Sequence, residues 1–176
     1  MEEKKAAIFC SASYVIDPKY NDLAREVVRA LHSKGYTIVS GGAIKGTMGV
    51  ISDEAARIGA THIGIMPRFM AGLEHSGVSK LFWTSTMAER KEGMREGTCL
   101  ALALPGGIGT LDELIETLVL AKLGKYPGNI VALDYDGFYT PLKDLLDHYV
   151  DTRMLDEDSR ALISFPKTVE ELLDMI

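Results

Sequence analysis

The sequence predicts an α/β fold in which a parallel sheet carries helices on both faces. Short apolar runs alternate with longer amphipathic stretches from one end of the chain to the other, which is typical of parallel sheets with crossover helices. No linker rich in proline or serine, repeat or low-complexity segment interrupts this alternation. The length of 176 residues suits one domain, so residues 1–176 are predicted to form a single unit.

Seven apolar runs predict the strands, because each is too short for a helix and lies between turn residues. They cover residues 6–10, 36–39, 61–66, 81–84, 98–104, 129–133 and 163–165. The run at residues 98–104 is the most apolar and lies between Gly97 and Pro105, so we expect it to be the central strand. Cys10 and Cys99 lie in two of these runs, and we expect both to be buried, reduced thiols.

Amphipathic stretches between these runs predict the helices. Pro18 opens the first helix and Gly35 ends it, whereas Thr168 caps the last helix. The helices between them are predicted at residues 50–58, 87–97, 111–123 and 141–150. Residues 68–79 show no clear period, and they predict an active-site loop or a short irregular helix.

The charge of the chain argues against one large class of partner. The formal net charge of -6 and the pI of about 5.2 are unlike those of proteins that bind nucleic acid, which need clustered Lys and Arg. Any phosphate is therefore expected to be bound locally, by backbone amides and a few cations. No apolar stretch approaches the roughly 20 residues of a membrane span, and the N-terminus lacks the long apolar region of a signal peptide, so we expect a cytoplasmic protein without membrane contact.

Residues 105–113, which read P-G-G-I-G-T-L-D-E, are the most informative segment. The glycines remove Cβ atoms where the backbone must approach a ligand, and the helix that follows favours an anion at its N-terminus. The loop consists of Gly106, Gly107, Ile108, Gly109 and Thr110. It matches neither a Walker P-loop nor a dinucleotide motif, and it could be only a tight turn.

A second glycine-rich segment follows the second predicted strand. Its residues with spare amides are Gly41, Gly42, Gly46, Thr47 and Gly49. Two anion-binding turns in one small domain predict a nucleotide ligand, although both segments could be structural turns.

Acidic residues begin the helix after residues 105–110. Glu113 and Glu116 are three residues apart and so share a helix face, with Asp112 beside them and Thr117 one turn after Glu113. Acids in a first helical turn often only complement the helix dipole. Next to an anion site, however, a carboxylate is unfavourable unless it has a chemical role. Cleavage of an N-glycosidic bond supplies such a role, because a carboxylate can stabilise an oxocarbenium-like transition state or activate water.

Arg90 and Lys91 lie between Glu89 and Glu92 in the predicted helix at residues 87–97. The two cations could be part of a charged helix face. Alternatively, the arginine could bind a phosphate through two hydrogen bonds or polarise a leaving base. No histidine or cysteine has the spacing of a metal site, so no metal is expected.

These motifs resemble the LOG (Lonely Guy) family of cytokinin riboside 5'-monophosphate phosphoribohydrolases, whose members are often mislabelled lysine decarboxylases. Residues 105–113 meet the family pattern P-G-G-x-G-T-x-x-E in full. Arg90 and Lys91 match its R-K pair, with Met87 before them, and the similarity extends from the first strand to at least Tyr139.

The resemblance implies a Rossmann-like, doubly wound fold, a homodimer and an enzyme that needs no cofactor. Such an enzyme hydrolyses the N-glycosidic bond of a purine nucleoside 5'-monophosphate, AMP or its N6-prenylated form, to the free base and ribose 5-phosphate. Arg90 and Glu113 are the implied catalytic pair. The substrate contacts expected from the glycine-rich turns and the resemblance together are Gly41, Gly42, Gly46, Thr47, Glu74, Met87, Lys91, Gly106, Gly107, Ile108, Gly109, Thr110, Asp112, Glu116 and Thr117.

The sequence departs from the family pattern in three places, one of which is Asp112, where a glutamate is common. Ala43 and Thr47 replace a glycine and a leucine of the second glycine-rich segment, and the loop after the first strand reads C-S-A-S instead of C-G-S-S. These positions bear on the phosphate and base pocket, so the preferred base is left open. The alternatives are a non-catalytic nucleotide or molybdenum-cofactor carrier, which has no evident use for Glu113, and a base-exchanging deoxyribosyltransferase, in which the carboxylate is a nucleophile.

Overall fold

The computed structural model describes residues 4–176, so the first three positions of the predicted unit lie outside the described residues. The sheet has seven strands in the order β4-β3-β2-β1-β5-β6-β7, and every pairing between neighbouring strands is parallel. The strands are β1 (Lys5–Phe9), β2 (Thr37–Ser40), β3 (His62–Pro67), β4 (Lys80–Thr84), β5 (Leu100–Ala103), β6 (Asn129–Ala132) and β7 (Ile163–Ser164). Each lies on a predicted run, with ends that differ by no more than two residues.

One detail of the strand prediction is wrong. The middle position of the sheet belongs to β1, and β5, which was expected there, lies beside it. Both strands are almost entirely buried, which is why apolar content alone does not distinguish them. The chain order reverses between β1 and β5, because successive strands are added on one side of β1 and then on the other.

Seven helices connect and flank the strands. They are α1 (Pro18–Ser33), α2 (Gly46–Ile58), α3 (Met87–Arg95), α4 (Ile108–Lys122), α5 (Thr140–Asp151), α6 (Glu157–Arg160) and α7 (Val169–Asp174). The short α6 was not predicted; the Asp156 side chain caps it by accepting a hydrogen bond from the amide of Ser159. Both α2 and α4 begin earlier than predicted, so part of each glycine-rich segment forms the first helical turn.

Two apolar clusters lie on opposite faces of the sheet. Helices α1, α2 and α7 pack on one face, where Ile8 is buried. Helices α4 and α5 and part of α3 pack on the other face, where the next strand residue, Phe9, is buried. Successive residues of a strand point to opposite faces, so the chain has the predicted doubly wound architecture.

Residues 68–79 combine the two predicted possibilities. A short 3-10 turn covers Arg68–Met70. The remainder lies along the second glycine-rich segment, where Glu74 forms an isolated antiparallel bridge with Ala43 and the amide of His75 donates to the carbonyl of Gly42. This loop therefore holds the second glycine-rich segment in place.

Both cysteines were expected to be buried, and neither is fully buried. Cys10 is partly buried and Cys99 is exposed, because each lies just outside its strand, and both are free. Burial raises the pKa of the Cys10 thiol. Over residues 4–176, no helix combines the length and the apolar character needed to cross a membrane.

Candidate active site

A cavity of about 310 Å³ opens beyond the carboxyl ends of β1 and β5, at the point where the chain order reverses. Ligands of doubly wound folds bind at this position. The cavity brings together nine of the predicted site residues: Gly41, Met87, Arg90, Lys91, Gly107, Gly109, Thr110, Asp112 and Glu113.

Arg90 reaches into the cavity from α3. Its side chain is only 7% exposed, whereas the neighbouring Glu89 and Glu92 are exposed, so Arg90 is not part of the charged helix face. The guanidinium Nε donates to the carbonyl of Ile65 at 3.0 Å, and Nη2 lies 3.8 Å from the sulfur of Met48. Burial lowers the pKa of Arg90, yet an arginine remains charged in proteins. The cavity wall therefore holds a fixed positive charge.

Glu113 faces the same cavity from the second turn of α4. Within residues 4–176 its carboxylate makes no hydrogen bond and no ion pair. Burial raises the pKa of the Glu113 carboxyl from 4.5 to about 7, an effect that the charge of Arg90 opposes and that of Asp112 reinforces. A carboxyl group with a pKa near neutrality in a cavity is a candidate general acid or base.

The first turn of α4 offers unpaired amides to the cavity. Among residues 4–176, no acceptor is present for the amides of Ile108, Gly109 and Thr110, and no side chain caps this end of the helix. A Cβ atom on Gly107 or Gly109 would meet no other atom within 4 Å. These two glycines therefore leave open space in front of the amides, as an anion site requires.

Gly106 has a different task in the same turn. A Cβ atom on it would overlap the side chain of Thr110, which is buried beneath the turn. Gly106 does not line the cavity itself, and it supports the turn through this close packing.

The second glycine-rich segment serves mainly to bring backbones together. Gly46 has a positive φ of 54°, and a Cβ atom there would collide with the backbone of Ser13. Gly42 packs in the same way against Gly64. The Thr47 hydroxyl donates to the Asn21 side chain at 3.0 Å. Of the predicted contacts in this segment, only Gly41 lines the cavity.

Lys91 belongs to an ion-pair network between α3 and α4. Its Nζ lies 2.9 Å from an Asp112 carboxylate oxygen and 3.3 Å from one of Glu116. Arg95 pairs with Glu116 at 2.7 Å. Lys91 and Asp112 line the cavity, whereas Glu116 does not. The charge of Lys91 is therefore already matched by two carboxylates.

Three further predicted contacts lie outside the cavity. Glu74 is exposed, and its carboxylate accepts from the amide of Gly72 at 2.6 Å. Ile108 is 89% exposed. The Thr117 hydroxyl donates to the carbonyl of Glu113 in its own helix, so its donor is already used within α4.

The C-S-A-S loop after β1, which the resemblance placed at the phosphate and base pocket, does line the cavity through Cys10, Ser11, Ala12 and Ser13. The lining residues that the sequence did not single out are Ile8, Met48 and Met94. The run of small residues after the first strand was a usable signal, because the loops of adjacent parallel strands meet at one edge of the sheet.

Comparison with known proteins gives a consistent family. Residues 48–176 match the family described as "Possible lysine decarboxylase". The cytokinin riboside 5'-monophosphate phosphoribohydrolase LOG of Oryza sativa subsp. japonica is 34% identical over 173 residues, which cover 97% of this chain and 71% of the rice protein. The corresponding LOG2 of Arabidopsis thaliana is 32% identical over 184 residues, covering 100% of this chain and 86% of that protein.

A solved structure supports the architecture. The molybdenum cofactor binding protein from the phototrophic bacterium Rippkaea orientalis matches with a TM-score of 0.74 over 99% of this chain and 96% of that one. Its sequence identity to this chain is 19%, so the likeness shows the Rossmann-like fold alone.

Proposed function

This chain belongs to the LOG family, which is also described as possible lysine decarboxylases, and from that membership we propose that it hydrolyses the N-glycosidic bond of a purine nucleoside 5'-monophosphate. The products are the free base and ribose 5-phosphate. The purine can be adenine or an N6-prenylated adenine.

One observation carries this proposal: Glu113 and Arg90 face one cavity without being paired to each other. Arg90 is buried and Glu113 is half-buried, and a direct ion pair would have offset part of the cost of desolvating the two charges. A carrier that only binds a nucleotide gains nothing from a carboxylate of raised pKa beside a phosphate site. A hydrolase of glycosidic bonds needs such a carboxylate at the reacting carbon.

In this proposal the two ends of the substrate bind different parts of the cavity. The 5'-phosphate binds the free amides of the first turn of α4, where the helix dipole favours an anion. Glu113, one turn further along α4, is then next to the ribose. Arg90, which reaches the cavity from α3, contributes positive charge that stabilises the phosphate or the departing base.

In the proposed reaction, the bond between the sugar carbon and the base nitrogen breaks while water attacks that carbon. The ionised Glu113 stabilises the cationic sugar and accepts a proton from the water. The base nitrogen gains a proton from solvent as it leaves, and Glu113 then releases to solvent the proton that it took from the water, so the reaction consumes one water and no net proton. Oxygen from water therefore ends on ribose 5-phosphate.

The test is to incubate the purified protein with AMP and with isopentenyl-AMP, and to measure free base and ribose 5-phosphate. Glu113→Gln is expected to lower the rate by about 10²- to 10⁴-fold. Glu92→Gln, which changes an exposed carboxylate of α3, is the matched control and should retain the native rate.

Three outcomes would contradict the proposal. Binding of both nucleotides without release of base by the native protein would favour a carrier. A native rate in Glu113→Gln would remove the assigned role of the carboxylate. Accumulation of a covalent sugar adduct would favour a transferase, in which the carboxylate is the nucleophile.

We also propose that two copies associate through an apolar groove between α4 and α5. The groove has a volume of about 320 Å³ and is lined almost wholly by apolar side chains. Val119, Leu145 and Tyr149 are among the partly exposed residues on it. Exposed apolar patches of this kind commonly mark protein interfaces.

Light scattering of a Val119→Glu/Leu145→Glu double variant tests this association. We expect the native protein to be a dimer and the double variant a monomer. Phe82→Glu, at an exposed apolar residue of β4, is the control and should stay dimeric. A monomeric native protein, or a double variant that remains dimeric, would contradict the assignment.

A further inference from the structure

A hydrogen bond from a distant segment holds the backbone where β5 turns into the glycine loop. The Tyr139 hydroxyl donates to the carbonyl oxygen of Leu104 at 2.7 Å. On the side of β6 the sheet ladder ends one residue earlier, with the amide of Leu133 donating to the carbonyl of Ala103. The carbonyl of Leu104, which directly precedes Pro105, therefore accepts its hydrogen bond from a side chain and not from a neighbouring strand.

Tyr139 is itself fixed by a buried aspartate. The carboxylate of Asp134 accepts from the amide of Tyr139 at 2.7 Å and from the Thr140 hydroxyl at 2.8 Å. The amide of Asp134 donates to the carbonyl of Pro166 at 2.7 Å. The phenol therefore connects the glycine loop to a part of the chain that does not line the cavity.

The same phenol lies close to the proposed reacting groups. Tyr139 is only 5% exposed. Burial raises the pKa of Tyr139, and the nearby Cys10 and Glu113 add to this rise. Tyr139 does not line the cavity, and its link to it is the hydrogen bond to Leu104, two residues before the Gly106–Thr110 turn.

We propose that Tyr139 is a positioning residue, which sets the place of the Gly106–Thr110 turn through the Leu104 carbonyl and so aims the α4 amides at the substrate phosphate. The inference rests on the proposed function for the identity of the ligand. It concerns a residue that acts through the backbone and makes no contact with substrate. Loss of the hydroxyl would leave the fold intact and loosen the turn, so phosphate affinity is the property expected to change.

The test compares Tyr139→Phe with Tyr126→Phe. Tyr126 is an equally buried tyrosine whose hydroxyl lies 3.1 Å from that of Thr98, away from the cavity. For Tyr139→Phe we expect the Kd for ribose 5-phosphate, by calorimetry, and the KM for AMP to rise about tenfold, with kcat changed less than about threefold. For Tyr126→Phe we expect a loss of thermal stability alone.

An unchanged Kd and KM in Tyr139→Phe would overturn the inference, as would an equal rise in Tyr126→Phe. If Tyr139→Phe does not fold, Thr140→Val replaces it, because it removes only the hydroxyl bond to Asp134. A rise of about two- to threefold in the same Kd is then expected, and no rise would overturn the inference. Calorimetry needs no turnover, so a native protein that binds ribose 5-phosphate but releases no base contradicts the proposed function and leaves this test in force.

Discussion

The backbone of Gly41 lies directly against the guanidinium of Arg90, so that a Cβ atom at position 41 would overlap Nη2 and crowd the sulfur of Met48. Gly41→Ala should therefore displace Arg90 within the cavity while changing only one methyl group. We expect the rate of base release to fall about 100-fold, because a shift of about 1 Å in a catalytic group has effects of that size. Steady-state kinetics with AMP measures the loss.

Gly107→Ala is the control for this substitution. Its Cβ atom would meet nothing within 4 Å and would not approach Arg90. It would, however, project near the amides of α4, so we expect a higher KM with kcat nearly unchanged. Equal kinetic effects of the two substitutions would contradict the distinct placement of Arg90.

The pH dependence of the reaction should report the ionisation of Glu113. Burial raises the pKa of this carboxyl to about 7, and the proposed mechanism uses its ionised form. We therefore expect kcat/KM to rise with pH through about 7 and to level off above it. The substrate phosphate has its own second ionisation at about pH 6, which is fitted as a separate step. A rate that is flat between about pH 6 and 8 would contradict the role of Glu113 as a base.

Ionisation of Glu113 should have the opposite effect on the free energy of unfolding, which should fall as the pH rises while kcat/KM increases. Because the folded pKa of Glu113 lies above the unfolded value of 4.5, the folded state binds the proton more tightly. The contribution of Glu113 to the free energy of unfolding is thus fully present below about pH 4.5 and is lost as the pH rises through about 7. Glu113→Gln should be more stable than the native protein at pH 8, by at most about 3 kcal/mol, and equal to it near pH 4.5. Urea unfolding at both pH values tests this, and a less stable variant at pH 8 would contradict it.

A buried histidine should weaken the fold in acid. His62 is fully buried, its Nε2 lies 2.8 Å from the Ser40 hydroxyl, and its Nδ1 has no partner among residues 4–176. Burial, reinforced by the nearby His75, lowers the pKa of His62 from 6.5 to about 4. The unfolded chain then binds the proton more tightly, so stability should fall as pH drops from 6.5 to 4, by at most about 3 kcal/mol.

The matched variants for this prediction are His62→Gln and His148→Gln. His148 is exposed on α5. The acid-dependent part of the free energy of unfolding should disappear in His62→Gln and persist in His148→Gln. If the free energy of unfolding of His62→Gln falls with decreasing pH as steeply as that of the native protein, another group is responsible for the acid sensitivity.

The strands could be predicted because a parallel sheet buried on both faces needs continuous apolar runs. Leu100–Ala103 is such a run, and all four of its residues are buried. The order of the strands depends on pairings between distant segments, which the runs do not encode. The central position of β1 in the sheet was missed for this reason.

Arg90 illustrates a signal that was present but ambiguous. It lies four residues before Met94, so the two share a helix face, and Met94 is buried. The flanking acids nevertheless favoured a solvated helix as much as a buried arginine. In the second glycine-rich segment, Gly42 and Gly46 serve close contacts with other backbones. Sequence alone does not distinguish such contacts from an anion site.

The reversal of chain order between β1 and β5 lets separate segments of the chain build different walls of one cavity. Arg90 and Glu113 come from two helices, whereas the loop at residues 11–13 supplies another wall of the cavity. A substitution in that loop can therefore reshape one wall of the cavity without replacing any residue of α3 or α4.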